Sequence, residues 1–136
     1  MNPIIAQATS STRDGPWVSI VDDDSSLRLA LARALRGKGI RVEVFGSAEE
    51  YLDRPPDDAL APACIVLDIR MCGLSGFDLQ DALVARGKAP PIIFITSHDG
   101  MLAEAARARA QGCLIKPFET DALLAMLRPH LAAAAA

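Results

Sequence analysis

The sequence predicts a doubly wound α/β domain, with a five-stranded parallel sheet in the order 2-1-3-4-5 and helices on both of its faces. Three observations predict it. Short apolar runs without alternation recur at Trp17–Val21, Cys64–Leu67 and Pro91–Ile95, the pattern of strands covered on both sides. Segments of helical spacing separate these runs, and right-handed crossovers between alternating strands and helices leave little choice but a parallel sheet. In one further strand Ile40, Val42 and Val44 alternate with Arg41 and Glu43, which places it at a wetter edge.

Composition sets bounds on this domain. A chain of 136 residues is long enough for one domain to bury a core without disulfides or structural metal. Hydrophobic residues make up 51% and aromatics 4%, so the core must be aliphatic. A net charge of −3 without a basic stripe argues against nucleic-acid or membrane-surface binding. Three cysteines at irregular spacing, no CxxC and two histidines point to the reducing cytoplasm and away from a zinc site. No apolar run approaches a membrane span, and the start has no secretory pattern.

Taken in order, residues 1–16 are rich in Ser, Thr, Gly and Pro and read as a flexible arm before a domain at 17–131. The first strand, Trp17–Val21, ends in Asp22, Asp23 and Asp24, with Ser25 and Ser26 as helix-start signals. Leu27, Ala30, Leu31, Ala34 and Leu35 give an amphipathic helix that ends at Gly37 or Gly39. After the edge strand, Ser47 and Glu50 predict a capping box for a short helix through Leu52, broken by Pro55 and Pro56. Asp68 ends the central strand and is followed by a Gly/Ser loop. Phe77, Leu79, Leu83 and Val84 then predict a helix to about Arg86, and the next strand ends at Thr96 and Ser97. A helix over Met101–Ala110, a short strand over Cys113–Ile115 and a helix over Thr120–Leu127 complete the domain, before Pro129 and an alanine tail at 132–136.

In this strand order the chain reverses between strands one and three, and ligands bind outside the carboxyl ends of the strands at such a point. Asp22, Asp23 and Asp68 therefore converge on one crevice. Three carboxylates there repel unless cations intervene; Lys116 supplies one charge, and a hard divalent ion such as Mg²⁺ supplies the rest. Each acid alone also has a plainer reading as a helix cap, and Asp24 reads as a solvated helix-start acid.

The set Asp22-Asp23, Asp68, Thr96 and Lys116-Pro117, in order at successive strand tips, resembles the response-regulator receiver domain of two-component signalling. The resemblance covers roughly Trp17 to Leu131 and implies the flavodoxin-like, CheY-like (βα)5 fold. It implies that Asp68 accepts a phosphoryl group from a histidine kinase or phosphotransfer protein. It further implies Mg²⁺ held by Asp23, Asp68 and the Arg70 carbonyl, with Asp22 acting through water. Thr96 and Lys116 are implied as partners of the phosphoryl oxygens, Ser97 as the small residue that leaves the site accessible, and the Lys116-Pro117 peptide as cis. His98 has two readings, an influence on hydrolysis of the aspartyl phosphate or an ordinary solvated loop residue.

Three features depart from the family pattern. Cys72 stands where proline usually follows the methionine, Cys113 stands where the family has Tyr or Phe, and the interval from Thr96 to Lys116 is about two residues short. Cys113 lacks the volume to fill or empty a ring-sized space, so coupling to the surface is expected to run through the segment after Thr96. Two other functions compete with the phosphoacceptor switch: a Mg²⁺-dependent phosphohydrolase and an interaction module indifferent to phosphate. Arg70 stands where such a hydrolase has its second catalytic acid. No second domain's pattern follows the last helix, so output is expected through a downstream protein or a missing output domain. The protein is expected to be a monomer or weak dimer, not itself an enzyme, and without direct contact to nucleic acid or membrane.

Overall fold

The computed structural model describes residues 15–54, 61–87, 89–97, 104–105 and 110–136. Its strands are β1 (Trp17–Val21), β2 (Arg41–Phe45), β3 (Cys64–Asp68), β4 (Ile92–Thr96) and β5 (Gly112–Ile115). They form one sheet in the order β2-β1-β3-β4-β5, and every pairing is parallel. Among the described residues the helices with given bounds are α1 (Ser25–Gly37), α2 (Ala48–Leu52), α3 (Gly76–Ala85) and α4 (Thr120–Ala135). The predicted helix over Met101–Ala110 lies mostly outside the described residues, which include Glu104 and the buried Ala105 as helix.

Alternate residues of each inner strand face opposite layers. Val18, Ile20, Cys64, Val66, Ile93 and Ile95 pack against α1 and α4 through Leu31, Leu35, Leu123 and Leu127. Val21, Ile65, Leu67, Ile92 and Phe94 face the other way, against Tyr51, Leu79 and Leu83. Because β1, β3 and β4 bury every residue, their runs show no alternation; β2, with one neighbour, keeps half-exposed Arg41 and Glu43. Each fully buried large aliphatic side chain contributes about 1.5–3 kcal/mol, and Phe94, Phe45 and Tyr51 add aromatic surface on the second face.

Local chemistry sets the helix ends, with some departures from expectation. Asp24 is the exposed helix-start acid that the sequence suggests, and it, rather than Ser25 or Ser26, is the N-cap of α1, accepting from the Ser26 and Leu27 amides. Ser47 caps α2 by accepting from Glu50 N, but the Glu50 carboxylate returns to Gly46 N at 3.2 Å, so the predicted box is offset by one residue. A full capping box instead starts α3, where Ser75 and Asp78 satisfy each other's amides. Val84, expected on the apolar face of α3, is exposed. The largest correction is α4, which continues through Pro129 to Ala135 where the helix was expected over Thr120–Leu127, ahead of Pro129 and an alanine tail. Proline removes one amide hydrogen bond, while the alanines after it have the best helix propensity and Leu131 packs on the core.

Candidate functional site

The register of the sheet assembles the site. Val21 lies beside Leu67, so Asp22 and Asp68 emerge together at the carboxyl ends of β1 and β3. One carboxylate oxygen from each of Asp22, Asp23 and Asp68 lies within 4.8 Å of the others. From the end of β5, Lys116 brings its Nζ to 2.9 Å from Asp22 Oδ2 and 3.3 Å from Asp68 Oδ2. The Lys116 amide donates to the Thr96 carbonyl at 2.7 Å and so extends the β4–β5 ladder into the site, and the Lys116-Pro117 bond is cis.

Burial and charge oppose each other here. Asp68 is 4% exposed, and its carboxyl is pushed up to about 7, by burial first and then by the Asp22 charge, with Lys116 pulling the other way. Burial works to lower the Lys116 ammonium, but the carboxylates of Asp22 and Asp68 outweigh it and hold the lysine above its ordinary range. Asp22 is wholly buried; its Oδ1 accepts from the Asp24 amide, whereas its Oδ2 meets Lys116 as an ion pair without hydrogen-bond geometry. Three carboxylates against one ammonium leave the cluster two negative charges in excess when all are ionised. An all-oxygen donor set with that excess suits a hard divalent cation.

Neighbouring groups keep these side chains in place. Arg28 of α1 donates through Nη1 to the Asp22 carbonyl at 2.6 Å, fixing the chain as it leaves β1. Gly76 opens α3 directly against β3: its amide donates to Ile69 O at 2.9 Å, and a Cβ there would lie 2.6 Å from the Asp68 carbonyl. Only glycine lets the helix start so close to the acid. The Cys72 amide donates to Asp23 Oδ2 at 3.1 Å, and the Leu74 amide to Glu49 Oε2 at 3.3 Å.

Asp22, Asp23, Asp68 and Lys116 thus come together as the sequence pattern suggests. Thr96 is buried at the tip of β4, the strand beside β3, and the exposed Ser97 follows it. Arg70 is exposed in the loop after β3, and His98 lies outside the described residues. Sequence reading missed Arg28, Glu49 and Gly76. A glycine directly after a capping serine was a usable signal for Gly76; nothing in the sequence pointed to the other two.

Comparisons with known proteins agree with this geometry. The response regulator receiver domain family matches residues 18–128. Response regulator protein TmoT of Ectopseudomonas mendocina is 39% identical over 116 residues, which are 84% of this chain and 52% of that protein. Nodulation protein W of Bradyrhizobium diazoefficiens is 41% identical over 109 residues, 79% of this chain and 47% of that one. The chain therefore spans about half the length of these curated relatives. A crystal structure of a response regulator receiver protein from Burkholderia phymatum superposes with a TM-score of 0.74 at 36% identity, covering 86% of this chain and 95% of the other. With the 2-1-3-4-5 sheet, the acid cluster at its switch point and a family match over most of its length, the chain belongs to the response-regulator receiver-domain family.

Proposed function

We propose that this domain is a phosphoacceptor switch in which Asp68 takes a phosphoryl group from the phosphohistidine of a histidine kinase or phosphotransfer protein. The observation that carries this reading is the convergence of Asp22, Asp23 and Asp68 with the Lys116 ammonium at the open end of the sheet. In the transfer, an Asp68 carboxylate oxygen attacks phosphorus in line, the bond to the donor nitrogen breaks, and the imidazole leaves with its electron pair. The phosphoryl group spreads negative charge over its equatorial oxygens, so the protein's part is positioning and electrostatic support. Lys116 is already placed within 3.3 Å of the acceptor carboxylate, where it can turn from Asp68 to a phosphoryl oxygen without leaving Asp22. Thr96 at the β4 tip offers a hydroxyl, and the small Ser97 leaves the approach open. Asp23, Asp68 and the Arg70 carbonyl would hold Mg²⁺, with Asp22 bound to the lysine and reaching the ion through water. A divalent cation bound there supplies positive charge that keeps all three carboxylates ionised and shields the entering phosphoryl oxygens.

This reading has the domain meet its phosphohistidine donor in the cytoplasm. Among the described residues no helix is long and apolar enough to cross a membrane. The domain is not an enzyme toward other substrates. It passes its signal to a downstream protein or output domain as a monomer or weak dimer. Incubation with acetyl phosphate or phosphoramidate and Mg²⁺ should add one phosphoryl mass, labile to base and hydroxylamine, and Asp68→Asn should abolish it. A label that survives this substitution would remove Asp68 from the mechanism.

A further inference from the structure

Two amides in the loop after β3 are held by acids from distant parts of the chain. Cys72 N–H donates to Asp23 Oδ2 across 49 residues of sequence, and Leu74 N–H donates to Glu49 Oε2 across 25. Between them Gly73 has a φ of +82°, and a Cβ there would come within 2.4 Å of the same Glu49 oxygen. The glutamate therefore lies against bare glycine backbone, and the loop is seated on the first turn of α2. Arg70, whose carbonyl is a candidate ligand, belongs to the same loop two residues before Cys72.

The three clustered acids differ in what holds them. Asp68 is buried, and Asp22 is buried and tied to the Asp24 amide and to Lys116. Asp23 is exposed, so packing does not select its rotamer. The Cys72 amide does, by engaging the Oδ2 of its carboxylate. Proline at position 72, the residue usual in the family, has no N–H to give; the departure to cysteine supplies the donor.

We propose that Cys72, through its main-chain N–H, and Glu49, through the Leu74 amide, are positioning residues that latch the loop and orient Asp23 for a divalent cation. This inference rests on the cation reading of the site given above. Groups that orient a metal ligand from outside the coordination shell commonly change affinity by about 10–100-fold, and the exposure of Asp23 favours the lower end.

The test is calorimetric titration of Mg²⁺ into the full chain and three variants, with thermal melts in chelator to confirm folding. Cys72→Ala keeps the amide and should keep the wild-type dissociation constant. Cys72→Pro removes the amide and should weaken binding by about tenfold. Glu49→Ala loosens the loop without altering residue 72 and should weaken binding in the same direction by a smaller factor. Should Cys72→Pro fail to fold, Glu49→Ala and Cys72→Ala decide. Wild-type affinity in both Cys72→Pro and Glu49→Ala, or equal weakening by Cys72→Ala and Cys72→Pro, overturns the latch. No binding heat from the wild type overturns the cation reading itself, a result distinct from failure of the latch.

Discussion

Replacing Asp68 by asparagine should stabilise the metal-free protein, by an amount that depends on pH. The side chain keeps its shape and loses a charge that burial and Asp22 both disfavour. Its carboxyl is raised from 3.8 to about 7 in the fold. Between these values the folded state holds a proton that the unfolded chain has released, so the wild type loses stability as pH rises from about 4 to about 7 and remains at the lower level above that. Three units correspond to about 4 kcal/mol at most, and water in the open crevice screens the charge, leaving about 1–2 kcal/mol at pH 8. For a domain of this size that is a rise in Tm of about 4–8 °C. Melting both proteins in chelator at several pH values is the assay: asparagine should lead clearly at pH 8, and the gap should close toward pH 4. A variant less stable at pH 8, or a gap indifferent to pH, would show that Lys116 pairs with Asp68 well enough to outweigh burial and Asp22.

Two further outcomes are expected. Gly76→Ala puts a Cβ where 2.6 Å separates it from the Asp68 carbonyl, so it should lower stability by about 2–3 kcal/mol in denaturant melts and, if folded, slow phosphorylation by moving the β3 tip. In native protein at pH 8, peptide mapping after brief alkylation should find Cys72 modified first and Cys64 last. Cys72 is exposed, whereas Cys64 is buried in the sheet with its thiol pushed up to about 12.

The inner strands were legible because burial on both faces of β1, β3 and β4 leaves no room for alternation, and because Asp22, Asp68 and Thr96 stand at their carboxyl ends; β5 is only partly buried and was readable chiefly from the Lys116-Pro117 pair that follows it. Where the chain obeys a longer-range cause, sequence reading failed. The continuation of α4 past Pro129 depends on Leu131 finding the core, a contact that no local rule contains. The amides of Cys72 and Leu74 are satisfied by Asp23 and Glu49, residues that a one-dimensional pattern cannot bring to the loop. The capping box at Ser75 was readable in principle, since Ser-x-x-Asp precedes an apolar helix. The offset at Ser47 came from Gly46, whose amide competes for the Glu50 carboxylate.

The chain contains one tryptophan, Trp17, at the far end of β1 from the acids. The residue is 7% exposed, and the Arg41 guanidinium carbon stands 5.5 Å from the ring centroid. Five residue steps along the strand lead from it to Asp22, about 16 Å at roughly 3.3 Å per step. Its emission therefore reports whether the first strand is docked and is deaf to events at the crevice. Unfolding followed by intrinsic fluorescence and ligation followed by heat or mass become independent channels, so a variant that loses its chemistry can be separated in one sample from a variant that has lost its fold.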